Sequence, residues 1–195
     1  MTWAISPFAI KEPLAVESLM LAFGKSLYLA SEFESKCQFV LRILNVVEMF
    51  QTTTTGSAKA TFAAAAVAKD RLLAKTIEGM AKISVVTHEE IDALTKARIA
   101  RNYIAHESGK VGSLHHLRAK HIAEAFAALR PAVIALAKGD NVISVWSLAI
   151  QEKQPAPEWM TQTYEARVLN WIFGEPFEEP DHDAWVKMQL AKRSR

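Results

Sequence analysis

The sequence predicts an all-α protein, a bundle of four to five helices with a helical C-terminal extension, and three observations carry that prediction. Half of the 195 residues are hydrophobic and only seven are glycine, so a core can be buried without the turn density that many short strands require. Apolar residues recur three and four positions apart over long stretches, the spacing that gives a helix one buried face. No run of alternating β-branched residues and no internal repeat interrupts them.

The elements follow in chain order. Pro13 fits the first turn of a helix, where its missing N–H costs nothing. The helical pattern then runs from Leu14 to about Phe50, with Cys37, Val40, Leu41, Leu44 and Val47 as an apolar stripe. Gln51 to Gly56 is threonine-rich, a poor helix former, and reads as the loop between two antiparallel helices. Ser57 is placed to cap a second helix through an alanine block to about Glu78, with Gly79 as its stop. Thr87-His88-Glu89-Glu90 is a capping box, so a third helix starts there and ends near Glu107, ahead of Ser108-Gly109. Ser113 caps a fourth helix to about Lys138, bent at Pro131 and ended by Gly139; Asp140 then opens a short apolar segment from Val142 to Ile150. Gln154-Pro155-Ala156-Pro157 is the sharpest break. It divides residues 1–152, the bundle domain, from residues 153–195, an extension expected to pack on that domain. The extension reads as an aromatic helix from about Glu158 to Phe173, an acidic proline-bearing loop, and a last helix from about Asp183.

A formal charge of +2 is too small to argue for a partner, but its distribution is uneven. From Leu94 to Ala123 the cations are Lys96, Arg98, Arg101, Lys110, Arg118 and Lys120, with Glu107 as the only acid, and His106, His115, His116 and His121 share the stretch. The acids gather at Glu175, Glu178, Glu179, Asp181 and Asp183. Cys37 is the only cysteine, so no intrachain disulfide forms and a reducing compartment fits. The N-terminus does not read as a signal peptide, and no uninterrupted apolar stretch reaches the roughly 20 residues of a membrane span. The expectation is a soluble cytoplasmic protein with no membrane partner.

The segment Arg98 to His106 carries the sharpest chemistry. Arg101 offers a permanent cation and a planar donor fork suited to phosphate, and His106 can take and return a proton near neutral pH. Ile91, Leu94, Arg98, Arg101, Asn102, Ala105 and His106 share one arc of an ideal helix, with Arg101 and His106 at its edges, about 140° apart. One straight helix does not clamp a single phosphate with both. Either the helix ends around Ala105 and His106 swings in from the C-cap, or a second copy of the arc faces the first. Metal-free RNA cleavage needs a base for the 2′-hydroxyl, an acid for the 5′-oxygen and cations at the phosphorane. A two-fold dimer supplies two histidines where one chain supplies one, with Ile91, Leu94 and Ala105 near the axis and Arg98 beside them.

Arg101-Asn102-Tyr103-Ile104-Ala105-His106 resembles the signature of the HEPN superfamily: an arginine, a polar residue, a few variable positions, then histidine. Arg98 and the ending Ala105-His106 also match the common form, and the resemblance covers roughly Leu14 to Lys138. It implies a HEPN-like helical bundle that dimerises with the two motifs facing each other. It further implies a metal-independent endoribonuclease without cofactors, of the toxin–antitoxin or phage-defence kind, with RNA as substrate and an antitoxin or other regulatory protein as partner. Arg101 and His106 match the catalytic pair, and Asn102 matches the polar position. One branch of the family carries a tyrosine two positions after the histidine, where a partner nucleotidyltransferase modifies it; here that position is Ser108. Other members have lost activity and serve as binding or dimer modules.

Plainer readings stand beside these. Arg101 and His106 can be a surface arginine and a helix-capping histidine. Arg98, with Lys96 and Lys110, is a candidate RNA contact, but Arg98 can equally pair with an acid such as Glu48. Asn102 can orient His106, contact phosphate, or serve only as a cap. His115, His116 and His121 lack the i,i+4 spacing of helical metal ligands, so no metal site is expected. Gly24-Lys25-Ser26 echoes the end of a P-loop, but Leu19 stands where that motif needs glycine. Trp146, Trp159, Trp171 and Trp185 can stack bases, although packing of the extension is the commoner use of such residues. The rival to a nuclease is a catalytically silent module that binds RNA or protein, or a regulatory subunit that docks through its extension.

Overall fold

The computed structural model describes residues 13–52, 73–81, 86–110, 118–152 and 155–178, which form five α-helices and, among the described residues, no strand. They are α1 (Pro13–Thr52), α2 (Leu73–Met80), α3 (His88–Lys110), α4 (Ala119–Glu152) and α5 (Glu158–Phe173). The all-α class is as the sequence predicts. The proposed caps Ser57 and Ser113, most of the threonine loop and the helix from Asp183 lie outside the described residues.

The third helix begins as its sequence dictates. The Thr87 hydroxyl accepts from Glu90 N–H at 3.2 Å, and the Glu90 carboxylate accepts from Thr87 N–H at 2.9 Å and from the Thr87 hydroxyl at 2.8 Å. This is the reciprocal capping box. Trp146 on α4 adds an indole N–H to the other Glu90 oxygen at 2.9 Å, tying the start of α3 to the end of α4. Burial raises the Glu90 carboxyl, but the Thr87 and Trp146 hydrogen bonds outweigh it and hold the group below the usual range. At its other end α3 passes Glu107 and continues to Lys110. The Ser108 hydroxyl donates back to Ala105 O at 2.9 Å, which satisfies it within the helix.

The fourth helix departs most from expectation: α4 runs unbroken through Pro131, Gly139 and Asp140. Gly139 does not end a helix. A Cβ there would stand 2.3 Å from the Ala97 Cβ and 3.0 Å from Ala93 O, so glycine is what lets α3 and α4 approach. Gly79 likewise lies inside α2, against Leu41, and that helix ends one residue later at Met80. Gly139→Ala is expected to lower stability despite its better helix propensity, because neither a rigid methyl nor a backbone oxygen can yield. Overpacking of this kind costs about 1–3 kcal/mol, and alanine returns at most about 1 kcal/mol through propensity. Thermal unfolding checks it, and Ala97→Gly in the same chain should restore part of the loss.

The core joins all five helices. Phe33, Leu19 and Val40 of α1 are buried with Met80 of α2, Leu94 and Ile104 of α3, Leu129, Val133, Leu136 and Ile143 of α4, and Val168, Leu169 and Ile172 of α5. Each such side chain contributes roughly 1.5–3 kcal/mol relative to exposure. Over its described part, the C-terminal extension therefore packs on the bundle. It runs antiparallel to α4, with Asn141 donating to Thr161 O at 2.8 Å and Arg130 gripping Glu175 at 2.7 Å. Gly174, at φ 69°, ends α5 in the left-handed conformation and donates to Asn170 O at 2.7 Å. By length and composition Leu14–Val46 of α1 and the whole of α4 are apolar enough to cross a membrane, which the absence of an uninterrupted apolar run in the sequence does not anticipate. Core helices meet the same criterion, and both of these helices contribute to the shared core.

Candidate functional site

The motif residues lie inside α3 and not at its cap. His106 is helical, with four residues of the helix beyond it, so it does not swing inward from a C-cap near Ala105. The ideal-helix angle of about 140° between Arg101 and His106 therefore stands. His106 and Asn102 are exposed, while Arg98 and Ala105 are half-buried. Leu94, expected beside the two-fold axis, is instead fully buried in the protomer's own core. On an ideal helix it points within about 60° of Ala97 and 80° of Ile104, the residues that define the core face. The rest of the arc is half-buried at Ile91, Arg98 and Ala105 and exposed only at Asn102 and His106.

Arg101 has a partner that no local pattern in the sequence signals. Its guanidinium donates to Glu34 Oε2 on α1 at 2.5 Å and to its neighbour Asn102 Oδ1 at 3.2 Å. The arginine side chain is 34 % exposed and the glutamate 25 %. The pair sits at the edge of the α1–α3 interface, where a ligand can still reach it. Asn102 thus holds Arg101, a role distinct from orienting His106. The only sequence signal for Glu34 is an acid flanking the α1 stripe between buried Phe33 and Cys37.

The basic stretch does not form one uniform face. Lys96 pairs with Asp92 at 2.6 Å and lines an apolar groove of about 420 Å³ between α3 and α4, with Ile99, Tyr103 and Pro131. On an ideal helix it points about 140° away from Arg101, so the structure does not join it to the motif. Arg98 is half-buried and makes no ion pair among the described residues; the side chains of Glu48 and Lys110 lie outside them. Lys120 meets Glu124 at 3.8 Å. His121 caps the start of α4: its Nδ1 accepts from Arg118 N–H at 3.3 Å, and its backbone N–H donates to Arg118 O at 2.9 Å. His115 and His116 lie outside the described residues, among which no three His, Cys, Asp or Glu side chains are grouped to hold a metal. Trp146, Trp159 and Trp171 serve packing, against Glu90, under the Arg167 guanidinium at 4.8 Å, and edge-on to Tyr28 at 6.1 Å. Trp185 lies outside the described residues.

A second polar cluster joins α1, α4 and α5. Asp140 is fully buried and accepts from Lys36 Nζ on both oxygens, at 2.9 and 3.0 Å, and from the Tyr164 hydroxyl. Lys36 gives its third proton to Ser144 Oγ at 3.0 Å. Burial, then the Asp140 charge and hydrogen bond, push the Tyr164 phenol well above its usual range. Burial likewise pushes up the neighbouring Cys37 thiol, with Asp140 and Glu34 adding to it, so Cys37 is not a nucleophile at neutral pH. The ammonium protons of Lys36 and the phenol proton of Tyr164 are all spent within the cluster, which makes it a structural clamp.

Compared with models of known families, with curated proteins and with solved structures, the chain finds no match.

Proposed function

We propose that the chain is a HEPN-like, metal-independent endoribonuclease that acts as a homodimer in the cytoplasm, in the manner of a toxin or phage-defence effector. The observation that carries the reading is the Arg101-Asn102-Tyr103-Ile104-Ala105-His106 motif on one helix, with Asn102 and His106 exposed and Arg101 a third exposed at the edge of the α1–α3 interface. Its two ends point too far apart for one chain to place both on one phosphate. A second copy brought against this face would set His106 of one protomer near Arg101 of the other, and RNA would lie between them with Arg98 as a further phosphate contact. Acid, base and cation are then available without a metal.

The test is cleavage by the purified chain. RNA should be cut in EDTA, and the fragments should carry 2′,3′-cyclic phosphate ends, the product of attack by the 2′-hydroxyl. Loss of activity on chelation with recovery on adding Mg²⁺ would refute the mechanism. One observation favours a second reading: Arg101 is already neutralised by Glu34. A silent module would use that pair for structure alone, and would bind RNA or protein without cutting RNA.

A further inference from the structure

We infer that Glu34 is the general base of the ribonuclease site, an assignment that rests on the proposed activity. Among the described residues His106 is the single histidine within two turns of Arg101 on α3, whereas phosphodiester transesterification needs two proton-transfer groups. The structure puts a second such group beside Arg101: Glu34 Oε2 is 2.5 Å from the guanidinium. Its other oxygen has no partner among the described residues. The pair is a quarter to a third exposed, so a ribose-phosphate can reach both members. Arg101 keeps donors beyond the two spent on Glu34 and Asn102. A phosphate oxygen held by those donors places the adjacent ribose next to the carboxylate.

The step balances with no further reactant. Glu34 takes the proton of the 2′-hydroxyl as that oxygen bonds to phosphorus. Arg101 stabilises the charge on the equatorial oxygens. The bond from phosphorus to the 5′-oxygen breaks, and the His106 imidazolium of the second protomer gives its proton to the leaving oxygen. Glu34 then loses its proton to water and His106 regains one. Each site thus draws base and cation from one chain and acid from the other. Glu34 acts on the buried Cys37 thiol together with Asp140 and Lys36, and the last two are engaged with each other, with Tyr164 and with Ser144.

Glu34→Gln keeps the shape of the side chain and removes its basicity. The Arg101 pair is partly exposed and adds little to stability, so a native melting curve is expected. Cleavage should fall on the order of 10²-fold or more. In Glu34→Ala, added formate, acetate and fluoroacetate should restore cleavage in order of basicity, which a purely structural carboxylate would not require. Mixing Glu34→Gln with His106→Ala chains should regain activity, whereas mixing Glu34→Gln with Arg101→Ala should not, because both lesions then leave every site incomplete. Wild-type rates in Glu34→Gln, rescue indifferent to carboxylate basicity, or recovery in the Glu34–Arg101 mixture would each overturn the assignment while leaving the nuclease reading intact. A wild-type chain that cuts no RNA overturns both.

Discussion

Asp140→Ala is expected to destabilise the protein by about 3 kcal/mol, near the lower end of what breaking a buried ion pair costs. Asp140 is fully buried where α1, α4 and α5 meet, and it takes three protons, two from Lys36 and one from Tyr164. Alanine leaves the Tyr164 phenol and two of the three Lys36 ammonium protons without an acceptor. Lys36 is 28 % exposed and can turn partly to water, which keeps the loss below the upper end of that range. For a chain of this size the melting temperature should drop by on the order of 10 °C. Asp140→Asn should not rescue it, because an amide presents its own N–H groups to donors and accepts on one oxygen only. Replacing Lys36 with Met in the Asp140→Asn background should recover part of the loss, and the resulting double-mutant cycle isolates the pair. Melting within about 2 °C of wild type for Asp140→Ala, less than a 1 kcal/mol change produces, would show that the clamp does not hold the three helices.

That clamp shows what a linear reading sees and misses. The capping box at Thr87 to Glu90 and the helix Glu158–Phe173 are legible because their signals are local: a side chain three residues from its partner, a proline before a helix, a glycine after it. Gly139 and Asp140 carry a signal of the same kind, a stop followed by a helix opener, and it misleads. Glycine in a helix marks either an end or a close crossing, and only the position of Ala97 decides between them. The partners of Asp140 lie 104 and 24 residues away in sequence, so no pattern in the chain points to them. The same holds for the candidate site. Arg101, Asn102 and His106 are recognisable as a motif, whereas Glu34 is 67 residues from Arg101 and meets it only because α1 packs on α3. Helical angle alone places Leu94 on the motif arc. It lies on the core side of that arc, where the apolar periodicity of Leu94, Ala97 and Ile104 outweighs its nearness to Arg101.

Arg101→Ala and His106→Ala are each expected to abolish RNA cleavage, with losses on the order of 10²-fold or more, and to leave the fold intact. His106 is exposed and has no described partner to lose. The Arg101–Glu34 pair is partly exposed, and pairs of that kind contribute about 0–1 kcal/mol. Equal loss in both variants does not yet say where the two groups work. The helix geometry favours two chains: Arg101 and His106 point about 140° apart on α3, which continues to Lys110. If a site takes its arginine from one chain and its histidine from the other, a heterodimer of the two variants has one site doubly damaged and one whole. Random mixing makes half of the dimers mixed, so about a quarter of wild-type activity should return in a preparation whose parents are both inactive. A site built within one chain gives no recovery on mixing, because every site then carries one lesion. The salt dependence of binding separates substrate contact from chemistry. Removing Arg101 should reduce the slope of log affinity against log salt by about one phosphate contact. An RNA-cleaving chain that sediments as a strict monomer would sink the composite site, since no rotation of one α3 brings both groups to the same phosphorus.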